Sequence, residues 1–258
     1  MSVEKLKIDA RRGKIIDILN RSGQVRISQL SKQLNATPVT IRSDLNALER
    51  DGYLERVQGG AVQTALNCFN REFIQKKHIH AEAKKRIAKA AAALIHDGDT
   101  VFINSGTTTY FTAVELKSKR ALRIVTNSLA VAIELGSIPT FNVILLGGEI
   151  NSHDSFTYGN DVVEQLKRYR AHYAILSIDG VCDSGRVTTL HAEEALVDRT
   201  MIERADETIV VADGAKLGRE GFSHVCDLSE GNRLVTEKGA DPSFIRKMRA
   251  KNIRTVCG

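Results

Sequence analysis

Residues 37–45, Thr-Pro-Val-Thr-Ile-Arg-Ser-Asp-Leu, decide the fold of the amino-terminal part of the chain. Thr37 suits a helix N-cap and Pro38 suits the first helical position. An apolar stripe follows at helical spacing, formed by Ile41, Leu45 and Leu48. The other faces carry a lightly charged polar row, formed by Thr40, Arg42, Ser43 and Asn46. Such a row is typical of a helix that hydrogen-bonds to base edges and phosphates of DNA.

The residues before this stretch predict two further helices. The first helix ends at Asn20 to Gly23, and Ser28 is expected to cap the second. Asn35 and Ala36 then make a short connection to the third helix, which is helix-turn-helix spacing. The expected core residues of this small domain are Leu30, Leu34, Ile41, Leu45 and Leu48.

Residues 53–62 form two short alternating runs on either side of a glycine turn, which predicts a β-hairpin, or wing. Arg56 and Gln58 are expected near its tip. The alternative is a small helical domain with an incidental hairpin, but three helices with a polar third helix and a wing together favour DNA binding. The side chains expected to contact DNA are Ser28, Thr37, Thr40, Arg42, Ser43, Asn46, Arg56 and Gln58.

Among these side chains, Thr40, Arg42 and Asn46 are expected to make the direct contacts, with Ser43 beside them, and Arg42 is suited to read a guanine. Its alternative role is a helix-surface ion pair with Asp44 or Glu49. Asp44 is expected to be structural, either by orienting Arg42 or by capping locally. Arg56 on the wing is expected to contact phosphate or the minor groove.

These residues resemble the helix-turn-helix signature of the DeoR family of bacterial transcription regulators. The matching residues are Arg11, Ile15, Leu19, Thr37, Thr40, Ile41, Arg42, Asp44 and Leu45. The chain departs from the signature at Ser43, where the family usually has a basic or amide residue. The resemblance covers nearly the whole chain and implies an operator-binding regulator, while the departure leaves the operator preference open.

Positive charge is concentrated toward the amino terminus. The 258-residue chain has a net charge of +6. Residues 1–90 contain 18 Lys and Arg against 9 Asp and Glu, whereas residues 91–258 contain 19 against 22. This distribution predicts that only the front of the chain binds a polyanion, with an affinity that falls steeply as salt rises.

Several other protein classes do not fit the sequence. The four cysteines, which are Cys68, Cys182, Cys226 and Cys257, form no CxxC pair. This spacing predicts reduced thiols in the cytoplasm rather than a zinc site or a disulfide framework. The amino terminus is charged and no apolar run is long enough to span a membrane, so we expect no signal peptide and no membrane partner. His78 and His80 have no further ligands nearby, so we expect no metal and no cofactor other than an effector ligand.

The rest of the chain alternates between strands and helices. Residues 64–80 are polar and aperiodic, which predicts a linker between a winged domain at 1–63 and an α/β domain at 81–258. The strong helix at 82–95 carries a basic face that is expected to be solvated, formed by Lys84, Lys85, Arg86 and Lys89. Strands are predicted at 100–103, 122–126, 142–146, 172–178, 207–212, 233–235 and 253–257. Helices are predicted near 109–117, 128–136, 159–168, 192–204 and 242–251. This alternation predicts a mainly parallel sheet covered on both faces.

Polar loops follow five of these strands, at the sheet edge where α/β proteins bind ligands. Their candidate effector-binding residues are Asn104, Ser105, Gly106, Thr107, Thr108, Asn127, Ser128, Gly147, Gly148, Asp179, Asp213 and Lys216. Backbone N–H groups, hydroxyls and Lys216 suit a phosphate, and Asp179 and Asp213 suit sugar hydroxyls. Each loop alone is equally consistent with an ordinary turn. Five loops that converge on one edge favour a pocket for a phosphorylated polyol.

The same loops resemble the sensor domain of DeoR-type regulators, at residues 105–109, 127–128, 147–148, 179–180 and 213–216. The resemblance implies a Rossmann-like α/β fold similar to ribose-phosphate isomerases, glucosamine-phosphate deaminases and CoA transferases, with a sugar phosphate as effector. The chain departs from the family at Asn104, where Asp is common, and at Asp198, where Lys is frequent. These departures leave the identity of the sugar open.

The leading functional hypothesis is a repressor of a carbohydrate-catabolism operon that acts as a homodimer or homotetramer on double-stranded operator DNA and is relieved by a small phosphorylated sugar. The alternative is a sugar-phosphate isomerase or deaminase with an attached DNA-binding domain. Its acid–base groups would come from Asp179, Asp213, His191, Glu193 and Lys216. No carboxylate and base lie at a short, ordered spacing, so we expect no enzyme activity. A nucleoid-type binder would carry more Lys and Arg on its recognition helix.

Overall fold

The computed structural model describes residues 3–50, 52–63 and 71–258. The chain divides into two compact units, Met1–Ile74 and Gln75–Gly258. Within the predicted linker at 64–80, residues 64–70 lie outside the described residues, and Arg71–His78 form a helix. The predicted bounds of the winged and α/β domains stay predictions.

The amino-terminal unit is a winged helix-turn-helix, as predicted. Its helices are α1 (Val3–Ser22), α2 (Ile27–Gln33) and α3 (Pro38–Arg50). Its strands are β1 (Gln24–Arg26), β2 (Glu55–Val57) and β3 (Gly60–Val62), in the antiparallel order β1-β3-β2. The predicted core residues Leu30, Ile41, Leu45 and Leu48 are buried, and the half-buried Leu34 packs against them.

The start of α3 agrees with the predicted cap, but the start of α2 does not. The Thr37 hydroxyl accepts a hydrogen bond from the Thr40 backbone N–H at 3.2 Å. Helix α2 begins at Ile27, so Ser28 lies inside the helix and its predicted capping role is wrong. The reason is that Arg26 at the end of β1 is the N-cap, and the chain passes directly from strand to helix around the buried Ile27.

Close contact between β1 and β3 requires glycine at position 60. A Cβ atom at Gly60 would lie 2.0 Å from the backbone oxygen of Val25. The preceding Gly59 has φ +79°, the left-handed conformation that closes the wing turn. These two glycines therefore fix the path of the wing.

The carboxy-terminal unit is built on a seven-stranded parallel sheet. The strands of this unit, some of which lie outside that sheet, are β4 (Thr100–Ile103), β5 (Arg123–Thr126), β6 (Asn142–Leu145), β7 (Glu149–Asn151), β8 (Phe156–Tyr158), β9 (Ala171–Ser177), β10 (Gly180–Val181), β11 (Arg186–Thr189), β12 (Ala205–Val211), β13 (Ser223–Asp227), β14 (Asn232–Thr236) and β15 (Arg254–Cys257). The sheet order is β15-β14-β12-β9-β4-β5-β6. All seven predicted strands are therefore confirmed as members of this sheet.

Helices cover both faces of the sheet. They are α5 (Ala81–Ala92), α6 (Thr107–Leu116), α7 (Leu129–Gly136), α8 (Asn160–Leu166), α9 (Ala192–Glu203) and α10 (Pro242–Ala250), whereas α4 (Arg71–His78) spans the boundary between the two units in the sequence. One apolar core contains Ile87 of α5, Ala113 of α6 and Val131 of α7. The other contains Val162 of α8, Val197 of α9 and Phe244 of α10. This arrangement is the Rossmann-like layering that the alternation predicted.

Besides α4, three features were not predicted: the β7-β8 hairpin, the small antiparallel sheet β10-β11-β13, and a 3-10 turn at Gly214–Lys216. None of the helices in the described ranges has the length and apolar character that a membrane crossing requires. Of the four cysteines, Cys182, Cys226 and Cys257 are free thiols, and Cys68 lies outside the described residues.

Candidate DNA-binding surface and effector site

The polar row of α3 faces solvent. Arg42, Ser43 and Asn46 are exposed, and Thr40 is half-buried. Val39 beside them is 71% exposed, whereas the apolar stripe on the opposite face is fully buried. Ser28, Thr37 and Gln58 are also exposed. The unit therefore presents one helix face with donors, acceptors and a single apolar side chain, which matches what base edges and thymine methyl groups offer in a major groove.

Asp44 holds α3 against α1. Its carboxylate is 2% exposed and accepts hydrogen bonds from Arg11 Nε at 2.5 Å and from Arg12 Nε at 3.1 Å. The prediction that Asp44 is structural is confirmed, but its expected partner Arg42 is wrong. Arg42 makes no ion pair within the described ranges, because Asp44 points to the helix–helix interface and Glu49 accepts from the Arg56 backbone N–H at 2.9 Å.

Arg56 lies against α3 rather than at the tip of the wing. Its guanidinium donates to the Asn46 side-chain oxygen and, through Nε at 3.0 Å, to the Gly60 carbonyl. The reason is that strand β2 turns this side chain toward the helix, while Gln58 occupies the turn. Asn46 keeps its amide NH2 group as a donor for DNA. The interaction between Arg56 and Asn46 therefore fixes the wing relative to the recognition helix.

The loop after β4 forms a cradle at the carboxyl edge of the sheet. Ser105, Thr107 and Thr108 are buried, and Gly106 has φ +138°. A Cβ atom at Gly106 would lie 2.6 Å from the Ser177 Cβ, so the close approach of β9 requires glycine. Within the described ranges, the backbone N–H groups of Gly106, Thr107 and Thr108 have no acceptor. Helix α6 thus presents free N–H groups at its amino terminus, where an anion is stabilised.

Asn104 positions this loop. Its amide nitrogen donates at 2.9 Å to both the Ser177 carbonyl and Asp198 Oδ1, and its oxygen accepts from the Ser177 N–H at 2.8 Å. The side chain is fully buried, so its hydrogen bonds are made within the protein. Asn104 and Asp198, the two positions that depart from the DeoR pattern, are therefore direct partners.

The loop after β12 brings Lys216 to Asp179. Lys216 Nζ donates to Asp179 Oδ1 at 2.7 Å. Burial alone would raise the pKa of Asp179, but Lys216 and the hydrogen bonds from Leu190 and Thr189 hold that pKa below its usual value. Asp213 caps the 3-10 turn by accepting from the Ala215 N–H at 3.1 Å. The fourth and fifth loops therefore meet, as predicted.

Lys84 of α5 contributes a cation that the sequence analysis missed. It is 5% exposed, and its Nζ donates to the Lys76 carbonyl at 2.6 Å. Burial lowers the pKa of Lys84, and Asp213 opposes this while Lys216 and Lys76 add to it. The expectation of a solvated face is wrong for Lys84. Ile87 and Ala91 follow it by three and seven residues, so all three side chains lie on the same, buried face of the helix.

A group of buried and half-buried carboxyls lies beside the cradle. Glu194 accepts from the Ser105 hydroxyl at 2.8 Å, and the Thr189 hydroxyl lies 2.7 Å from Glu194 and 3.1 Å from Asp179. Burial raises the pKa of Glu194, and burial together with Glu194 raises that of Asp198 well above its ordinary value. The Asp198 Oδ2 atom is buried and has no hydrogen-bond partner.

The loops after β5 and β6 make mainly structural contacts. Asn127 donates to the Thr157 carbonyl at 3.0 Å, and the Ser128 hydroxyl caps α7. The Gly147 backbone makes two hydrogen bonds with the Gln165 side chain, at 3.1 and 2.7 Å. A Cβ atom at Gly148 would lie 2.6 Å from the Tyr158 carbonyl oxygen. These contacts do not connect the two loops with Lys216 or Asp179, and a ligand role for them stays a prediction.

The arrangement suits an anion rather than a metal. Across residues 3–50, 52–63 and 71–258, no group of three or more His, Cys, Asp or Glu side chains could hold a metal ion. His191 lies 3.5 Å from Asp154, which also binds Lys76 at 2.7 Å. Free helix N–H groups with Lys84 and Lys216 are the features that bind phosphate.

A winged helix-turn-helix joined to an α/β unit is typical of a DNA-binding transcription regulator. Residues 11–65 match the DeoR-like helix-turn-helix domain, and residues 79–238 match the DeoR C terminal sensor domain. The chain therefore belongs to the DeoR family.

Curated relatives align over nearly the whole chain. The Uncharacterized HTH-type transcriptional regulator YulB of Bacillus subtilis (strain 168) is 33% identical, over 95% of this chain and 95% of its own length. The HTH-type transcriptional repressor GlcR of the same organism is 30% identical, over 89% and 88%. The Glycerol-3-phosphate regulon repressor of Escherichia coli (strain K12) is 32% identical, over 90% and 92%. These alignments include both units of the fold.

Solved structures resemble the chain more distantly. Ribose 5-phosphate isomerase A from Methanocaldococcus jannaschii shares 16% identity with a TM-score of 0.40, over 54% of this chain and 55% of that one. The translation initiation factor eIF-2B from Pyrococcus horikoshii OT3 shares 17% identity with a TM-score of 0.42, over 85% and 76%.

Proposed function

We propose that the protein represses a carbohydrate-catabolism operon and is released from its operator by a phosphorylated sugar bound in the carboxy-terminal unit. Two curated relatives support this proposal through their names. One is the Glycerol-3-phosphate regulon repressor of Escherichia coli, and another is the Lactose phosphotransferase system repressor of Lactococcus lactis subsp. lactis, 31% identical. Such a regulator acts in the cytoplasm, where the DNA is.

In this proposal, α3 binds in the major groove of the operator. Arg42 donates to a guanine edge, and Thr40, Ser43 and Asn46 bond to neighbouring bases or phosphates. The exposed Val39 contacts a thymine methyl group. One helix reads too few base pairs for useful specificity, so two copies bind two half-sites as a homodimer or within a homotetramer.

The buried Lys84 carries the effector part of the proposal. Burying an ammonium is costly unless its charge and its three donors are compensated, and within the described ranges a single acceptor contacts it. A phosphate at the amino terminus of α6 would supply that compensation, and the same phosphate would accept hydrogen bonds from Lys216 and from the free N–H groups of Gly106 and Thr107. Asp179 and Asp213 are then suited to sugar hydroxyls.

Release from DNA requires that the sugar phosphate favour one arrangement of the subunits over another. In the sugar-bound form, the two recognition helices would be held at a spacing that does not match the operator half-sites. The factor by which the sugar phosphate lowers DNA affinity is then limited by how much more tightly it binds this arrangement than the DNA-binding one. The carboxy-terminal unit needs no turnover for this role. Its best acid–base candidate, Asp179, is already paired with Lys216, and Asp213 is a cap.

Footprinting of the full-length protein on the DNA upstream of its own operon tests the proposal. One bounded protected site that disappears with a sugar phosphate is expected. Uniform protection would indicate a nucleoid-type binder. Conversion of the sugar phosphate that is abolished by Asp179→Asn or Lys216→Ala would indicate an enzyme.

A further inference from the structure

The effector site is bipolar. One side is cationic, with the free N–H groups at the start of α6, Lys84 and Lys216. The other side is acidic and begins one residue earlier in the same loop, where the Ser105 hydroxyl donates to Glu194 at 2.8 Å. A ligand bound at the first side therefore lies directly beside the second.

The acidic side contains more carboxyls than the protein compensates. Asp179, Glu194 and Asp198 are connected through Thr189 and by direct electrostatic contact. Lys216 is paired with Asp179 at 2.7 Å. Within the described part of the chain, Glu194 and Asp198 form no ion pair with Lys or Arg. Arg199 lies near Asp198, but its guanidinium donates to the His224 carbonyl.

Asp198 supplies the second observation. Its side chain is fully buried, and its Oδ1 accepts from Asn104, but its Oδ2 has no partner. Glu194 lies one helical turn before Asp198 in α9, and Asp179 follows strand β9. Both side chains are partly exposed and therefore accessible to a ligand. Buried carboxyls without partners are normally compensated by a cation or by protons. A metal ion is unsuitable, because the described residues provide no set of three ligands.

We propose that the effector is an amino-sugar phosphate, whose phosphate binds at α6, Lys84 and Lys216 and whose ammonium group binds to Glu194 and Asp179. Asp198 lies beneath them without contacting the ligand, and the bound ammonium would favour the ionised form of this carboxyl, which burial disfavours. The proposal rests on the proposed function, because it specifies the class of sugar that the same site recognises. It predicts that the site discriminates an ammonium from a hydroxyl at one position of otherwise identical sugars.

Calorimetric titration of the full-length protein at pH 7 tests this prediction. The probes are two matched pairs: glucosamine 6-phosphate against glucose 6-phosphate, and galactosamine 6-phosphate against galactose 6-phosphate. In at least one pair the amino sugar should bind at least tenfold more tightly, which corresponds to about 1.4 kcal/mol. N-acetylglucosamine 6-phosphate, which lacks the charge, should lose this advantage.

The variants Glu194→Gln and Asp198→Asn should each bring the affinity ratio of the pair toward one. Glu203→Gln, an exposed position at the end of the same helix, should leave the ratio unchanged. Equal binding of amino and neutral sugars, or tighter binding of the neutral ones, overturns the inference and leaves the proposed function intact. If no member of this panel binds, the inference is overturned, and the proposed function is decided separately by the footprinting experiment.

Discussion

Asp44 of the recognition helix is almost completely buried, and its carboxylate accepts a 2.5 Å hydrogen bond from Nε of Arg11 on the first helix. Arg12 binds the other oxygen of the same carboxylate. Two guanidinium groups on α1 therefore fix the rotation of α3 about its axis. That rotation decides which side chains face outward, so the ion pairs of Asp44 position Arg42, Ser43 and Asn46 although they contact no DNA.

Asp44→Asn should destabilise the amino-terminal unit. The substitution keeps the shape but removes the charge that two arginines share, and both arginines are partly exposed, so water limits the loss to about 1–3 kcal/mol. Chemical denaturation of the full-length protein, followed by a probe in this unit, measures the change. Unchanged stability would show that the pairs do not hold the helices together.

Arg42→Ala should weaken operator binding and leave the stability of the protein nearly unchanged. Because Arg42 is exposed and makes no ion pair in the described ranges, stability should change by less than about 0.5 kcal/mol. Operator affinity should fall by about 1–3 kcal/mol, with relaxed preference at one base pair. Binding titrations on the operator and on single-base variants measure both effects. An equal loss on every sequence would reassign Arg42 to a phosphate contact.

Gly60→Ala should disrupt the wing. The new methyl group would lie 2.0 Å from the Val25 carbonyl oxygen, so β1 and β3 would have to separate. We expect a loss of more than about 2 kcal/mol in unfolding free energy. Gly13→Ala is the matched control, because its Cβ would meet nothing within 4 Å in the middle of α1. It should stabilise the protein by up to about 1 kcal/mol.

Lys84→Met should abolish binding of sugar phosphates while DNA binding is kept. The substitution fills the same buried volume without the charge. A thermal-shift screen with hexose 6-phosphates detects the loss, since a ligand at a hundred times its dissociation constant adds about 2.7 kcal/mol of stability. Lys85→Met is the control: Lys85 is exposed and pairs with Glu82 at 2.9 Å. A Lys84→Met protein that responds like wild type would exclude Lys84 from the site.

Stability should depend on pH through Asp198. Burial raises its folded-state pKa above the ordinary value of about 3.9, so the folded protein binds this proton more tightly than the unfolded chain. This contribution is fully present below pH 4 and is lost as pH rises through the folded pKa. Asp198→Asn removes this pH-dependent contribution to stability. The charged and titratable groups around Asp198 are Glu194, Asp179, Arg199 and Cys226.

The Asp198→Asn variant should therefore match wild type near pH 4 and exceed it by about 1–3 kcal/mol near pH 8. Denaturation curves at several pH values, with Glu203→Gln as control, measure the difference. A gain that is the same at every pH would mean that the effect comes from packing and not from the charge.

Much of the fold could be predicted from the sequence, because local patterns agree with the tertiary structure. The buried parallel strands are rich in β-branched residues, such as 208–211 in β12, and this composition favours the strand conformation. Thr37 and Pro38 mark the start of α3 by their own chemistry. The β7-β8 hairpin and the β10-β11-β13 sheet were missed, because their strands have only two to five residues, which is too short for a clear alternating pattern.

The candidate site was predictable where the loops follow strands, but not where side chains choose partners. The loops at Ser105 and Asp179 were found because parallel strands end at one edge. Lys84 was missed because a lysine on a basic helix is normally solvated, although its spacing from Ile87 places it on the buried face. The partners of Asp44 depend on where α1 packs, which local sequence does not specify.

In the proposed function, one unit binds operator DNA and the other releases it in response to a sugar phosphate. Fluorescence anisotropy with labelled upstream DNA, titrated with a sugar-phosphate panel, tests it most directly. For the wild type, one member of the panel should weaken DNA binding at least tenfold. Lys216→Ala should bind the same DNA with unchanged affinity and show no response. A specific DNA complex that no sugar phosphate alters, or a Lys216→Ala protein that responds like wild type, would contradict the account.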